Sequence, residues 1–185
     1  MTDYLPIRTD RLTLRRYRET DFDDLLKLQS NDDVTRFLLY DPKTPEEVRE
    51  TLAKRLADVT MDAEGQALTL AVELTETGQH LGEVTLFVHS VEQRTGEIGY
   101  VFHPESGGHG YAAEASVELL RLGFEHFGMH RVIARLDARN TGSVKLLERL
   151  GMRREAHFVR NEFLKGEWVD ELVYAMLADE WAAKN

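Results

Sequence analysis

The chain reads as a single α+β domain over residues 1–185, with a central mixed and mostly antiparallel sheet and helices on both faces. Three observations predict this class. Extended runs at Leu68 to Leu74, Leu81 to His89 and Thr95 to His103 follow one another across short connections, as in an antiparallel meander. A glycine-rich turn, Gly107-Gly108-His109-Gly110, then leads from the last run into a helical pattern. Beyond it come one further strand, a capped helix and a terminal hairpin.

Each element has a local reason. Leu12-Thr13-Leu14-Arg15 alternates as a short strand, with Arg11 and Arg15 expected on one face. Thr20 or Asp21 caps a helix through Leu25, Leu26 and Leu28, and a shorter helical turn is expected between Asn31 and Leu39. Thr44 is an N-cap and Pro45 a first helical residue, opening a helix that carries Val48, Leu52, Leu56 and Val59 at helical spacing. Glu76-Thr77-Gly78-Gln79 turns between the first two meander strands. After the glycine turn, Ala112, Ala115, Leu119, Leu122 and Phe127 recur at the spacing of a buried helix face. Val132-Ile133-Ala134 marks a buried strand within Arg131 to Asp137. Asn140 caps the helix Thr141 to Leu150, and Gly151 closes it. Glu155 to Leu164 and Trp168 to Met176 flank a Lys165-Gly166 turn as the final hairpin.

Composition narrows the function. Apolar residues at 42% and charged residues at 30% place the chain among globular proteins. A net charge of −10 argues against nucleic acid as a partner and suits a cationic substrate. The absence of cysteine excludes disulfides, thiolate metal sites and a cysteine nucleophile. No metal site is expected. Neither a membrane span nor a secretory leader is read, so no membrane partner and a cytoplasmic location are expected.

The segment Gly107 to Ala115 carries the most chemistry. A glycine turn between strand and helix converges backbone N–H groups on an anion, and the helix N-terminus adds a favourable field. No Lys-Ser or Lys-Thr follows the glycines, so the segment is not a Walker loop. A dinucleotide fingerprint tolerates Ala113 in its third position, but it belongs to βαβ units rather than after a strand meander. An ordinary tight turn has the same spacing.

Three motif groups carry a family resemblance when taken in order. The first is Glu97-Ile98-Gly99-Tyr100 with His103-Pro104 and Gly108-His109-Gly110-Tyr111-Ala112-Ala113-Glu114-Ala115. The second is Asn140-Thr141-Gly142-Ser143 with Leu147-Glu148-Arg149-Leu150-Gly151-Met152, and the third is Gly166-Glu167-Trp168-Val169-Asp170 with Tyr174-Ala175-Met176-Leu177. Together they resemble the GNAT superfamily of N-acetyltransferases, and in detail its RimJ/RimL-type branch, which acetylates N-terminal amines of ribosomal proteins.

The resemblance implies acetyl-coenzyme A as co-substrate. Its pyrophosphate is expected on the amides of Gly108, His109, Gly110, Tyr111, Ala112 and Ala113, and its pantetheine arm along the backbone of Val101, Phe102 and His103. Asn140 is expected to reach the same arm, although it is equally a helix cap. Lys145, and Arg149 one turn on, are the basic residues for the 3′-phosphate, or else a solvated face. Gly107 departs from the family, which has Arg or Gln there and often Trp in this branch; that loses a side-chain contact but keeps the amides.

For the chemistry, the resemblance implies Ser143 as the acid that protonates the departing thiolate and Glu162 as a base acting through water, with Glu83 as rival base. Transfer is expected by direct attack of a primary amine in a ternary complex. The acceptor is a protein N-terminus or a small molecule, including antibiotics. A different class of reading is an acyl-coenzyme A-binding regulatory module with little catalysis, which the departure at Gly107 favours. Exposed strands of the terminal hairpin suggest a homodimer.

Overall fold

Strands pair in the order in which the chain makes them until the glycine turn, and out of order after it. The computed structural model describes residues 4–57 and 60–184. β1 (Ile7–Arg8), β2 (Leu12–Arg15), β3 (Ala67–Leu74), β4 (His80–Ser90) and β5 (Thr95–Phe102) form an antiparallel series. β6 (Arg131–Asp137) joins β5 in parallel, and the hairpin of β7 (Arg153–Leu164) and β8 (Glu167–Leu177) adds through β8, giving the order β1-β2-β3-β4-β5-β6-β8-β7. A parallel pair needs a crossover, and the helix that follows the glycine turn supplies it.

Helices cover both faces. On one, Leu12, Leu14, Leu70, Val72, Val84 and Leu86 meet Ala115, Leu119 and Leu120 of α4 (Tyr111–Arg121) and Leu147 of α5 (Thr141–Leu150) in the larger core. On the other, Ala71 packs under Tyr17, Leu25, Val48 and Leu52, contributed largely by α1 (Phe22–Gln29) and α3 (Pro45–Leu56). Thr44 and Glu47 cap α3 reciprocally, and Pro45 fills its first position. Leu56, expected in the core, is 39% exposed, and Val59 lies outside the described residues. Between α1 and α3, α2 (Asp32–Thr35) is a single turn capped by Asn31. α6 (Ala178–Ala182) closes the described chain.

Arg11 and Arg15 do not share a face. Arg11 precedes β2 and turns to Glu114 of α4, whereas Arg15 points beneath α1, where Asp21 and Glu73 receive it at 2.7 and 2.8 Å. Strand alternation does not extend to a residue outside the strand.

One irregularity positions everything functional. The β5–β6 pairing holds only at Thr95↔Arg131, Gly96↔Val132 and Glu97↔Ile133. β5 then continues to Phe102 bound to β4, while β6 continues to Asp137 bound to β8. The sheet therefore opens as a V from Ile98 and Ala134 onward. Gly82 permits the far arm: a Cβ there would lie 2.2 Å from the Val101 carbonyl, so only glycine lets β4 follow β5 to its end.

Candidate active site

The glycine turn sits at the mouth of the V. Gly108 and Gly110 have φ of +79° and +81°, a conformation that costs other residues energy, and Gly110 ends the turn directly before α4. The first helical bond runs from the Glu114 amide to the Gly110 carbonyl at 3.0 Å. Amides of Tyr111, Ala112 and Ala113 thus precede the helical ladder, and all three residues line the cleft. Arg11 braces the turn from outside. Its guanidinium donates to Glu114 at 2.6 and 2.8 Å and to the His109 carbonyl at 3.0 Å, and it lies 4.7 Å from the Tyr111 ring centre. This brace is not legible in the sequence, because it spans about a hundred residues.

The cleft has a volume of about 770 Å³. One wall is the free arm of β5, with Tyr100, Val101, Phe102 and His103; the floor is Gly107, Gly108, Gly110 and the first turn of α4. The opposite wall is the start of α5, with Asn140, Gly142, Ser143, Lys145 and Arg149. Segment 33–38 closes the remaining side and brings Arg36 and Phe37. Lys165, at the hairpin turn, fixes that segment by donating to the Thr35 carbonyl at 2.8 Å. Arg36, Lys145 and Arg149 outnumber the one lining carboxylate, Asp33, in a chain whose net charge is −10.

Of the residues singled out from sequence, the structure gathers Val101, Phe102, His103, Gly108, Gly110, Tyr111, Ala112, Ala113, Asn140, Ser143 and Lys145 around this one cleft. His109 stays outside it, its ring stacked on Tyr111 at 5.3 Å and 8°. The Asn140 side chain accepts from the Ser143 amide at 3.1 Å, which is a helix cap, and so aims the first turn of α5 at the cleft. Tyr100 reaches across the V and donates to the Ser143 carbonyl at 3.4 Å. Burial pushes the Tyr100 phenol up to about 12, so it remains a proton donor at neutral pH.

Glu162 is, like Glu97, not among the residues that line the cleft. It belongs to a second constellation, on the sheet face away from α4 and α5. Arg135 of β6 lies 3.6 Å from Glu162 and 3.0 Å from the buried Glu171, and Asn161 donates to Glu171 at 2.6 Å. Glu97, the last residue of β5 paired with β6, faces the same group, and His89 stands 3.8 Å from it. Burial raises the Glu97 carboxyl above its ordinary value, against the opposing pull of Arg135 and His89. Sequence reasoning passed over Glu97 as part of a motif; a lone carboxylate among β-strand residues was the only available signal. Glu83 is committed elsewhere. Its side chain is 5% exposed and accepts from Tyr17 at 2.7 Å and Arg55 at 2.6 Å, tying β4 to α3.

A Cβ at Gly107 would stand 3.0 Å from the Pro104 carbonyl, a close contact that a shift of a few tenths of an ångström relieves, and the backbone there, with φ of −65°, is open to any residue. Among the described residues no group of three or more His, Asp or Glu is arranged to hold a metal ion, and no helix is long and apolar enough to cross a membrane.

Comparison with known proteins agrees with this architecture. Residues 11–153 match the acetyltransferase (GNAT) domain family. The uncharacterized N-acetyltransferase YnaD of Bacillus subtilis (strain 168) is 30% identical over 175 residues, covering 95% of this chain and 98% of that protein. A GNAT-family acetyltransferase structure from Bacillus anthracis superposes with a TM-score of 0.83 at 32% identity, covering 94% of this chain and 99% of the other. The structure of spermidine N-acetyltransferase from Vibrio cholerae, in complex with CoA and spermine, shares the fold with a TM-score of 0.81 at 22% identity, covering 94% and 99%.

Proposed function

This chain belongs to the GNAT acetyltransferase domain family and is an acetyl-CoA-dependent acetyltransferase; on that premise we propose that it acetylates a primary amine by direct attack, with the co-substrate in the V and the amine approaching from the Glu97 side. The observation that carries this reading is the V itself: a β5 arm without a β6 partner beyond Glu97, ending at a glycine turn that shares its cleft with three cationic side chains. Acetyl-CoA supplies the thioester whose acyl group is transferred.

The chain's own residues divide the remaining work. Amides of Gly108 to Ala113 and the α4 N-terminus hold negative charge, with Lys145, Arg149 and Arg36 as neutralising groups. The free edge of β5 at Val101 to His103 offers backbone groups to an extended arm. Ser143, at the start of α5, is the acid that protonates the departing thiolate. A carboxylate removes the proton from the attacking ammonium. What supports Glu97 over Glu162 in that role is its place at the apex of the V; burial also raises the Glu97 carboxyl, and a carboxyl nearer neutrality is a stronger base than an ordinary one.

Three carboxylates against Arg135 and His89 suit a cationic acceptor. The class extends from N-terminal α-amines, as in the RimJ/RimL-type branch, to small polyamines such as those of the Vibrio cholerae structure. An acyl-CoA-binding module without catalysis is the weaker reading, because a missing side chain at Gly107 leaves the backbone amides of the turn and of the α4 start in place at the cleft. An acceptor screen that follows CoA release, with N-terminal peptides and small amines in parallel, decides the acceptor.

Variants decide the roles. Glu97→Gln is expected to lower kcat by about tenfold or more near pH 7, with partial recovery as pH rises and free amine accumulates. Glu162→Gln is expected to change it less. Ser143→Ala is expected to lower turnover on the order of ten- to a thousand-fold at nearly constant CoA affinity. A Glu97→Gln enzyme with the parental rate from pH 6 to 9 returns the base to Glu162.

A further inference from the structure

A second cavity, of about 610 Å³, lies behind the β5 arm, between the C-terminal half of α1 and the β3–β4 turn. Its walls are polar: Asp24, Lys27 and Asn31 from the α1 side, Gln79 and His80 at the start of β4, and His103 and Glu105 past the end of β5. The reaction described above uses none of them except the backbone of His103.

His80 is the unusual member. It is only 8% exposed, and neither ring nitrogen has a hydrogen-bond partner. The rings of Tyr17 and His103 pack beside it at 6.3 and 5.6 Å. Tyr17 directs its hydroxyl away, to Glu83. A buried imidazole in this state forgoes two hydrogen bonds, which native interiors seldom permit without a partner. Burial, and then the neighbouring His103, hold it neutral at physiological pH, so one nitrogen accepts and the other donates.

The charges around it select the partner. Asp24 and Glu105 contribute two carboxylates against one lining cation, Lys27, which lies 3.5 Å from Asp24 and offsets one of them, so the lining keeps one net negative charge. Arg15 and Asp21, the other charges felt by His80, are engaged with each other. An anion meets repulsion here. A metal ion lacks a ligand set, since no three of these groups converge on one point. An organic ammonium carries positive charge for the carboxylates and N–H donors for a neutral imidazole.

We infer that this cavity is a second binding site, for a small organic cation bearing a primary ammonium group, with His80 as acceptor and Asp24 and Glu105 as counter-charges. His103 lines both this cavity and the co-substrate cleft, and through it occupancy of one site is expected to change affinity at the other. The linkage rests on the acetyl-CoA reading of the cleft, whereas the binding does not.

The test uses the full chain with ¹⁵N-labelled histidine, titrated with 1,4-diaminobutane, with tetramethylammonium as a cation lacking N–H donors, and with sodium chloride. Expected is a saturable shift of the His80 ring nitrogens with the diamine, and affinity at least about tenfold weaker for tetramethylammonium. His80→Gln and the surface change Asp24→Asn are each expected to weaken diamine binding, measured by calorimetry on folded protein. The CoA dissociation constant is expected to change about threefold with saturating diamine in the parent and not in His80→Gln. No saturable shift, equal shifts with tetramethylammonium or salt, or undiminished binding in both variants overturns the site. Saturable binding with an unaltered CoA constant overturns the linkage alone, and failure to bind CoA at all refutes the cleft reading while leaving the His80 titration to stand by itself.

Discussion

Arg15 shows how much depends on single charged residues in this fold. It is 8% exposed, and it donates to Asp21 through both terminal nitrogens, at 2.7 and 3.0 Å, and to Glu73 at 2.8 Å. Burial alone raises the Asp21 carboxyl, but hydrogen bonds from Arg15 and the Arg18 amide prevail and hold it below its ordinary value. A carboxyl depressed in the folded state stabilises above its unfolded pKa, and that contribution is lost as pH falls through the folded value. Arg15→Met leaves two carboxylates without their shared partner, and the expected loss is about 3–5 kcal/mol by urea denaturation at pH 7. The same variant is expected to lose less stability than the parent on acidification, because an unpaired Asp21 no longer favours the ionised form. Equal acid sensitivity in both proteins counts against the pair. None of this was legible from sequence: Arg15 was read as one of two arginines on one face, and its partners depend on strand register and on where α1 settles.

At the scale of elements, local chemistry was legible and pairing geometry was not. The Thr44-Pro45-Glu47 start of α3, the Asn140 cap and the Gly151 stop of α5 depend on neighbours within four residues, which the sequence displays. The V between β5 and β6, and the meeting of Glu97, Arg135, Glu162 and Glu171, depend on register between strands far apart in the chain. The family resemblance supplied the cleft residues, yet the contacts of Tyr100 and Arg11 were not legible because their partners, Ser143 and Glu114, lie on other elements. Asn140 joins the two kinds of information. Its side chain caps α5 at the Ser143 amide, so Asn140→Ala is expected to cost about 1 kcal/mol of stability. It is also expected to loosen the residue proposed as acid, so turnover should fall by more than CoA affinity does. A stability loss with unchanged kcat confines Asn140 to capping.

Over the whole molecule, the sheet consists of two blocks held in register by three residue pairs. β1 to β5 form one block and β6 to β8 the other, and beyond Glu97 and Ile133 their facing edges diverge. The larger core runs under both, through α4 and α5, and keeps them together without closing the V. Backbone groups along the free arm of β5 should therefore exchange with solvent more readily than those of β3 and β4, which are paired on both sides. An extended ligand that bridges the two edges changes this balance, since whatever binds the folded state alone stabilises it by mass action. Saturating CoA is expected to slow amide exchange at residues 99–103 and 107–113 and at the start of α5, and to leave the β1–β2 edge unchanged. At about a hundredfold excess over its dissociation constant it is also expected to add roughly 2.7 kcal/mol to global stability. Protection confined to the glycine turn, with the β5 arm exchanging as before, would mean that the phosphates are held but the V is not bridged. That outcome would remove the backbone-pairing role assigned to Val101, Phe102 and His103 and leave the turn as the sole anchor.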